Sequence, residues 1–239
     1  MSDLTVSELS VPDQSAITIS HIVFVVFDGI TQLDFTGPAQ FLARIPDAKV
    51  HVVSLDGAAI ATDAGFSILP NGTFADCPQA DILCVPGGFG VAPAISNPAI
   101  VEFIAQQAKG AQWITSVCTG AFLLGAAGLL AGKNATTHWG YAHLLPQMGA
   151  THVDQRVVRD GNLITAGGVT SGIDFALELI AIAKGETLAR TLQLALEYNP
   201  APPFDSGHPG TAAQPLVDDL RHRVYNRSAA QMQAAIRPR

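Results

Sequence analysis

Among the residues of this chain able to act as nucleophiles, Cys118 has the most telling context. Trp113-Ile-Thr-Ser-Val reads as a buried strand and Gly120-Ala-Phe-Leu-Leu-Gly-Ala-Ala as the start of a helix, which leaves the cysteine on the abrupt corner between them. That pattern is a nucleophile elbow. The unpaired N–H groups and positive dipole end of the following helix are expected to favour thiolate over thiol. Small residues at Gly120 and Ala121 leave room for a substrate. The ordinary alternative, a buried cysteine acting as a small hydrophobe, is the reading taken for Cys77 and Cys84.

A nucleophilic sulfur needs a proton partner, and position 119 is Thr rather than His. Two carboxyls follow the first strand at its carboxyl end, where open α/β sheets place ligands. Asp34 lies in Leu33-Asp-Phe-Thr-Gly-Pro, where capping the next helix is its structural alternative and Thr36 competes for that task; Asp28 lies in an Asp-Gly turn pair. The residue pattern leaves both open, with the structural alternative stronger for Asp28. Pro86-Gly87-Gly88-Phe-Gly90 follows another buried strand, and its glycines would bring backbone N–H groups to a ligand as an oxyanion-type hole. Ala166-Gly167-Gly168-Val169-Thr-Ser-Gly is a third glycine-rich junction, suited equally to pocket lining and to tight packing at a helix start.

Several chemistries are excluded. The glycines do not follow the dinucleotide spacing, and Gly132-Lys133 lacks the flanking residues of a phosphate loop. His138 and His143 stand five apart without nearby carboxylates, so no metal site is expected; His138 reads as a strand-end residue and a candidate for pocket lining, and His21, His51, His152, His208 and His222 as surface or loop residues. Twenty Asp plus Glu against 13 Lys plus Arg give a net charge of −7, opposite to the footprint for nucleic acid or an anionic membrane. Three cysteines with no Cys-x-x-Cys pair leave one thiol over in any disulfide scheme, which suits a reduced, cytoplasmic setting. The acidic opening residues do not resemble a secretory leader, and the longest apolar run, 121–131, falls short of the ~20 residues of a membrane span.

The elements that would position these residues alternate. IVFVVF at 22–27, DILCVPG and QWITSV have the continuous β-branched character of strands buried on both faces, with helices expected at 35–45 and 99–109 between them. That order is a doubly wound, mostly parallel sheet sandwiched by helices. An appended β-hairpin is expected within 58–74, and a second at 156–165 turning on Asp160-Gly161. Helices follow at 170–184 and 187–198, then a Pro-, Gly- and Ser-rich stretch at 200–215 and one final amphipathic helix. With 239 residues, 48% apolar and 14% charged, the chain reads as a loose tail (1–20), one α/β domain (21–199), and a loop plus helix (200–239) packing on that domain.

Leu33-Asp-Phe-Thr-Gly-Pro, Val85-Pro-Gly-Gly, Ser116-Val-Cys-Thr-Gly-Ala, Ala135-Thr-Thr-His-Trp and Ala166-Gly-Gly-Val-Thr-Ser-Gly-Ile-Asp occur in the order found in the PfpI-like superfamily of class I glutamine amidotransferase-like domains. The resemblance covers nearly all of 22–198. With Leu196-Glu-Tyr-Asn-Pro-Ala-Pro-Pro-Phe-Asp added, the chain resembles the isonitrile hydratase branch. The resemblance implies a flavodoxin-like fold, a cofactor-free cytoplasmic homodimer, and a small isonitrile as substrate. It implies Cys118 as nucleophile, Asp34 rather than Asp28 as its acid-base partner, and donors from the backbone of Gly88 and Thr119, with the Thr119 side chain near the reactive centre. Peptidase-like members carry His after the cysteine, so Thr119 argues against a protease. Two rival readings are a ligand-sensing domain like that of AraC-type regulators, whose carboxyl-terminal helix-turn-helix modules are not expected here, and a glyoxalase or deglycase using the same sulfur.

Overall fold

The computed structural model describes residues 18–237. In chain order the elements are β1 (His21–Val25), α1 (Gln32–Leu42), β2 (Lys49–Ser54), β3 (Ile60–Ala61), β4 (Ser67–Ile68), β5 (Gly72–Thr73), β6 (Ile82–Val85), α2 (Val91–Ile95), α3 (Pro98–Gly110), β7 (Trp113–Val117) and α4 (Gly120–Ala126). They continue with β8 (Asn134–Ala135), a 3-10 stretch (Trp139–Met148), β9 (Thr151–His152), β10 (Val157–Asp160), β11 (Leu163–Ala166), α5 (Ser171–Lys184), α6 (Glu186–Ala195), α7 (Gln214–Leu220), a π-helical turn (Arg221–Tyr225) and α8 (Asn226–Ile236).

Seven strands form one sheet in the order β10-β11-β7-β6-β1-β2-β5. Every neighbouring pair is parallel except β10 with β11. The central strands are buried on both faces, which is why β6 and β7 read as unbroken apolar runs rather than alternating ones. Helices α1, α5 and α6 pack together, while α2, α3 and α4 pack with one another and α2 receives α8. The fold is therefore the doubly wound α/β sandwich that the alternating pattern predicts, in the flavodoxin-like form that the family resemblance implies. From β1 the chain moves first to β2 on one side and later to β6 on the other, and this reversal opens a crevice at the carboxyl ends of β1 and β6.

Several boundaries differ from the sequence reading. Helix α1 begins three residues earlier than expected and carries Pro38 in its interior, so Leu33-Asp-Phe-Thr-Gly-Pro lies within the helix rather than ahead of it. Thr36 is no cap; its hydroxyl donates to Gln32 Oε1. Asn97 does cap α3, accepting from the Ala99 N–H at 3.1 Å. Within 58–74, β3 and β4 form a small hairpin in a sheet of their own, while Asn71-Gly72 starts the parallel edge strand β5 instead of a turn. The second hairpin turns on Gly161 and Asn162, one residue later than expected, because Asp160 pairs with Leu163 and the positive φ falls on Gly161. The final helix is split by the π turn.

Of the expected loose tail, 1–17 lie outside the described residues. Residues 18–20 are anchored: Ile19 is buried and the Ser20 N–H donates to Asp81 Oδ2 at 2.7 Å.

The start of α4 is seated directly on the end of β6. A Cβ on Gly120 would lie 2.1 Å from the Val85 carbonyl oxygen, a backbone atom with little freedom to move. Gly120→Ala is expected to lower stability by about 2 kcal/mol, the clash outweighing alanine's better helix propensity, read as a lower urea midpoint at unchanged slope; an unchanged or higher midpoint would show that the two elements separate freely.

Candidate active site

The crevice is closed at its base by backbone ties between two loops. The Thr31 N–H donates to the Gly87 carbonyl at 3.0 Å, and the Gly90 N–H donates to the Gly29 carbonyl at 3.0 Å. An isolated bridge joins Ile30 to Gly88. These bonds carry the first turn of α1 to the end of β6. There the fully buried Asp34 accepts the Gly87 N–H on Oδ2 at 3.0 Å. Asp34 Oδ1 is buried without a conventional hydrogen-bond partner, and Cys118 is the neighbouring group that couples to the carboxyl.

Cys118 occupies the elbow that its flanking sequence implies, with φ +57°, in the left-handed region that non-glycine residues rarely adopt. Its backbone is held on both sides. The N–H is shared by the carbonyls of Ala166 (3.1 Å) and Gly167 (2.8 Å), and the carbonyl accepts the Thr137 hydroxyl at 2.7 Å. Cys118 as a whole is only 5% exposed and borders a cavity of about 170 Å³ whose walls include Thr31, Phe89, His138, Tyr141, Val169 and Tyr225.

The electrostatics differ from the expected stabilised thiolate. Burial first, and the Asp34 charge second, push the Cys118 thiol well above its ordinary range; the Thr119 N–H acts in the opposite direction but does not prevail. Burial likewise raises the Asp34 carboxyl from 3.8 to about 7, against the lowering effects of the Gly87 N–H and of Cys118. A short helix of seven residues cannot offset desolvation of the sulfur beside a carboxylate. Near neutrality the pair is a protonated thiol beside a carboxyl close to its titration point, and the two titrate as one coupled unit.

The remaining expected site residues divide between pocket and support. The Gly88 N–H donates to Thr119 Oγ1 at 2.9 Å, so the amide expected to serve substrate is already engaged. The Gly87 amide is committed to Asp34, and a Cβ there would meet Thr119 N at 2.6 Å and Asp34 Oδ2 at 2.9 Å. Thr119 is buried and returns a hydrogen bond from its hydroxyl to the Gly88 carbonyl at 3.1 Å. Val169 and His138 line the cavity, whereas Gly167 and Gly168 face a neighbouring cleft of about 590 Å³. Asp28 is not in the site: its exposed side chain accepts the Ala61 N–H at 2.9 Å, fastening β3 to the β1 loop. Among the described residues no His, Cys, Asp and Glu cluster suited to a metal ion occurs, and no helix is long and apolar enough to cross a membrane.

Sequence reasoning missed Tyr141 and Tyr225. They reach the cavity from the 3-10 stretch and the π turn, and no local motif distinguishes them from packing residues.

Residues 20–182 match the model of the DJ-1/PfpI family. The chain belongs to that family. An isonitrile hydratase of Pseudomonas putida is 52% identical over 204 residues, covering 85% of this chain and 90% of that protein. A crystal structure of a ThiJ/PfpI family protein from Pseudomonas syringae superposes with a TM-score of 0.90 at 36% identity, over 99% of this chain and 97% of the other. The HTH-type transcriptional regulator CdhR of Pseudomonas aeruginosa is 34% identical over 58% of this chain, which covers 42% of the regulator. In this family member the elbow, the carboxyl and the Gly87-Gly88 loop lie within the matched residues, whereas Tyr225 lies beyond them.

The raised carboxyl has a consequence for stability. Folded Asp34 keeps its proton to about pH 7 while the unfolded group releases it near 3.8, so the folded chain binds more protons between those values and loses stability as pH rises through them, by up to about 4 kcal/mol. Asp34→Asn is expected to be more stable than wild type at pH 8, with the difference vanishing below pH 4, in urea unfolding series across pH; a variant equally destabilised at both ends would contradict this origin.

Proposed function

We propose that this protein is an isonitrile hydratase, converting R–N≡C to the N-substituted formamide through a covalent intermediate on Cys118. The observation that carries the reading is the buried Cys118–Asp34 pair, a thiol and a near-neutral carboxyl side by side at the floor of a small cavity. The terminal carbon of an isonitrile must take up both a proton and a nucleophile, and adjacent acid and nucleophile suit addition to a single atom. A 2-oxoaldehyde instead asks for proton transfers at separate atoms. The identity shared with the Pseudomonas putida isonitrile hydratase supports the same substrate class.

In the first half of the reaction, ionised Asp34 takes the Cys118 proton as the C–S bond forms and delivers it to the same carbon, giving the thioimidate R–N=CH–S–Cys118. Water then adds to that carbon with Asp34 as base. The C–S bond breaks, the sulfur regains its proton from Asp34, the second water proton passes from the added oxygen to nitrogen, and the formamide R–NH–CHO leaves. His138 is unsuited to act as the base. Burial lowers its pKa to about 4, and its Nδ1 accepts the Gly140 N–H at 3.1 Å. Thr119 and Gly88, bonded to each other, hold the wall beside the sulfur, and the Thr119 N–H is the backbone donor aimed at the sulfur. The reading includes a reduced cytoplasmic setting and a homodimer, for which exposed Leu194 and Phe204 offer apolar surface.

The test is a panel of alkyl and aryl isonitriles beside methylglyoxal, under reducing conditions, with formamide quantified. Cys118→Ala is expected to fall to background with an unchanged melting profile. Asp34→Asn is expected to lose about 100-fold or more, and Asp28→Asn less than threefold. Wild-type protein inert toward every isonitrile would favour the sensing role suggested by the CdhR similarity, and equal losses from the two aspartate variants would remove Asp34 from its assigned role.

A further inference from the structure

The roof of the cavity holds an acidic group that the scheme above leaves unused. Tyr225 closes the π turn Arg221–Tyr225 and lines the same cavity as Cys118, near enough for the two to interact electrostatically. A π turn inserts an extra residue and re-phases the helix that follows, a feature that concentrates at functional sites. The ring is fixed from below and from the sides. A Cβ on Gly140 would come within 2.8 Å of the Tyr225 Cγ, and the ring centroid lies 4.8 Å from that of Trp139 and 4.9 Å from that of His138.

The hydrogen bonding leaves the phenol proton uncommitted. Because His138 Nδ1 accepts the Gly140 N–H, the neutral imidazole carries its proton on Nε2, which faces the Tyr225 oxygen at 3.4 Å. The phenol oxygen is thus the acceptor in that contact, and its own proton has no protein acceptor among the described residues. The other cavity phenol differs: Tyr141 donates to Ser228 Oγ at 2.8 Å and is occupied. Burial and the nearby Cys118 raise the Tyr225 pKa, which keeps the phenol protonated.

We propose that the Tyr225 hydroxyl is a catalytic acid for the second half-reaction, protonating the nitrogen of the Cys118 thioimidate as water adds. This inference rests on the hydratase reading. With carbon bonded to sulfur, the nitrogen lies one bond farther into the cavity that Tyr225 also lines. As the water oxygen bonds to carbon, the C=N π electrons move to nitrogen, which takes the Tyr225 proton, while Asp34 takes a proton from the water. On collapse the carbinol O–H proton returns to the phenolate, the C–S bond breaks, and Asp34 reprotonates the sulfur. Each catalytic group ends in its starting state, and the net change is the addition of one water. The family match ends at residue 182, so this acid is supplied by the carboxyl-terminal segment beyond it.

Tyr225→Phe keeps the ring and removes only the hydroxyl. In the presence of a simple alkyl isonitrile, we expect turnover to fall about 100-fold, with the Cys118 adduct of substrate mass accumulating in acid-quenched intact-mass spectra. Formation of that adduct in the first turnover is expected to proceed at the wild-type rate. Turnover within threefold of wild type, or adduct formation slowed as much as turnover, would overturn the assignment while leaving the hydratase reading in place. A wild-type protein that converts no isonitrile overturns both.

Discussion

The site depends on an imbalance of solvation. A carboxyl has been taken out of water and given one backbone N–H in return, from Gly87, with a thiol as its other neighbour. One donor is too little to hold a full negative charge in that setting, so Asp34 titrates near neutrality. The same scarcity of donors keeps the sulfur protonated until a substrate can accept what leaves it. In the proposed reaction, reactivity comes from a proton that is easily moved between neighbours rather than from a permanently ionised nucleophile.

Such an arrangement is destabilising, and the surrounding fold over-determines it. The left-handed backbone at Cys118 persists because its N–H and carbonyl are both engaged, by the end of β11 and by Thr137. The carboxyl stays in place because the β1 and β6 loops are tied by their own backbone, so Asp34 cannot relax toward water without breaking Thr31–Gly87 and Gly29–Gly90. Gly87 has no side chain because Thr119 and Asp34 fill that space. These constraints converge at the point where the sheet order reverses, the place in such folds where loops from adjacent strands face one another across an open edge.

Floor and roof of the cavity come from different parts of the chain. The family-matched residues provide elbow, carboxyl and glycine loop, while the last helical segment lays Tyr225 across them and limits the space to about 170 Å³. A cavity of this size admits a small, slender reacting group, and the larger neighbouring cleft, which shares His138 and Val169 with it, lies on the other side of those residues.

The alternation of buried strands and helices was legible in the residues themselves, because a parallel sheet covered on both faces demands continuous apolar runs such as those of β6 and β7. The elbow at Cys118 was legible for a similar reason: a strand that ends where a helix begins leaves only a sharp corner between them. Local pattern leaned toward Asp34 because Asp28 sits in an ordinary Asp-Gly turn pair, but both follow β1; the loop ties that carry one inward and leave the other on β3 set them fully apart. The helix start at Gln32 was hidden by Pro38, which reads locally as an opening signal yet sits in the helix interior. Protonation was beyond sequence as well. A helix end predicts a thiolate, but the ionisation of a buried group is set by how much water its neighbours exclude and how many donors they supply, and those neighbours arrive from β6, β11 and the π turn. Sequence determined which groups could react; tertiary packing decided their charge, their pairing and the phenol facing them, because desolvation and long-range contact are properties of the assembled core.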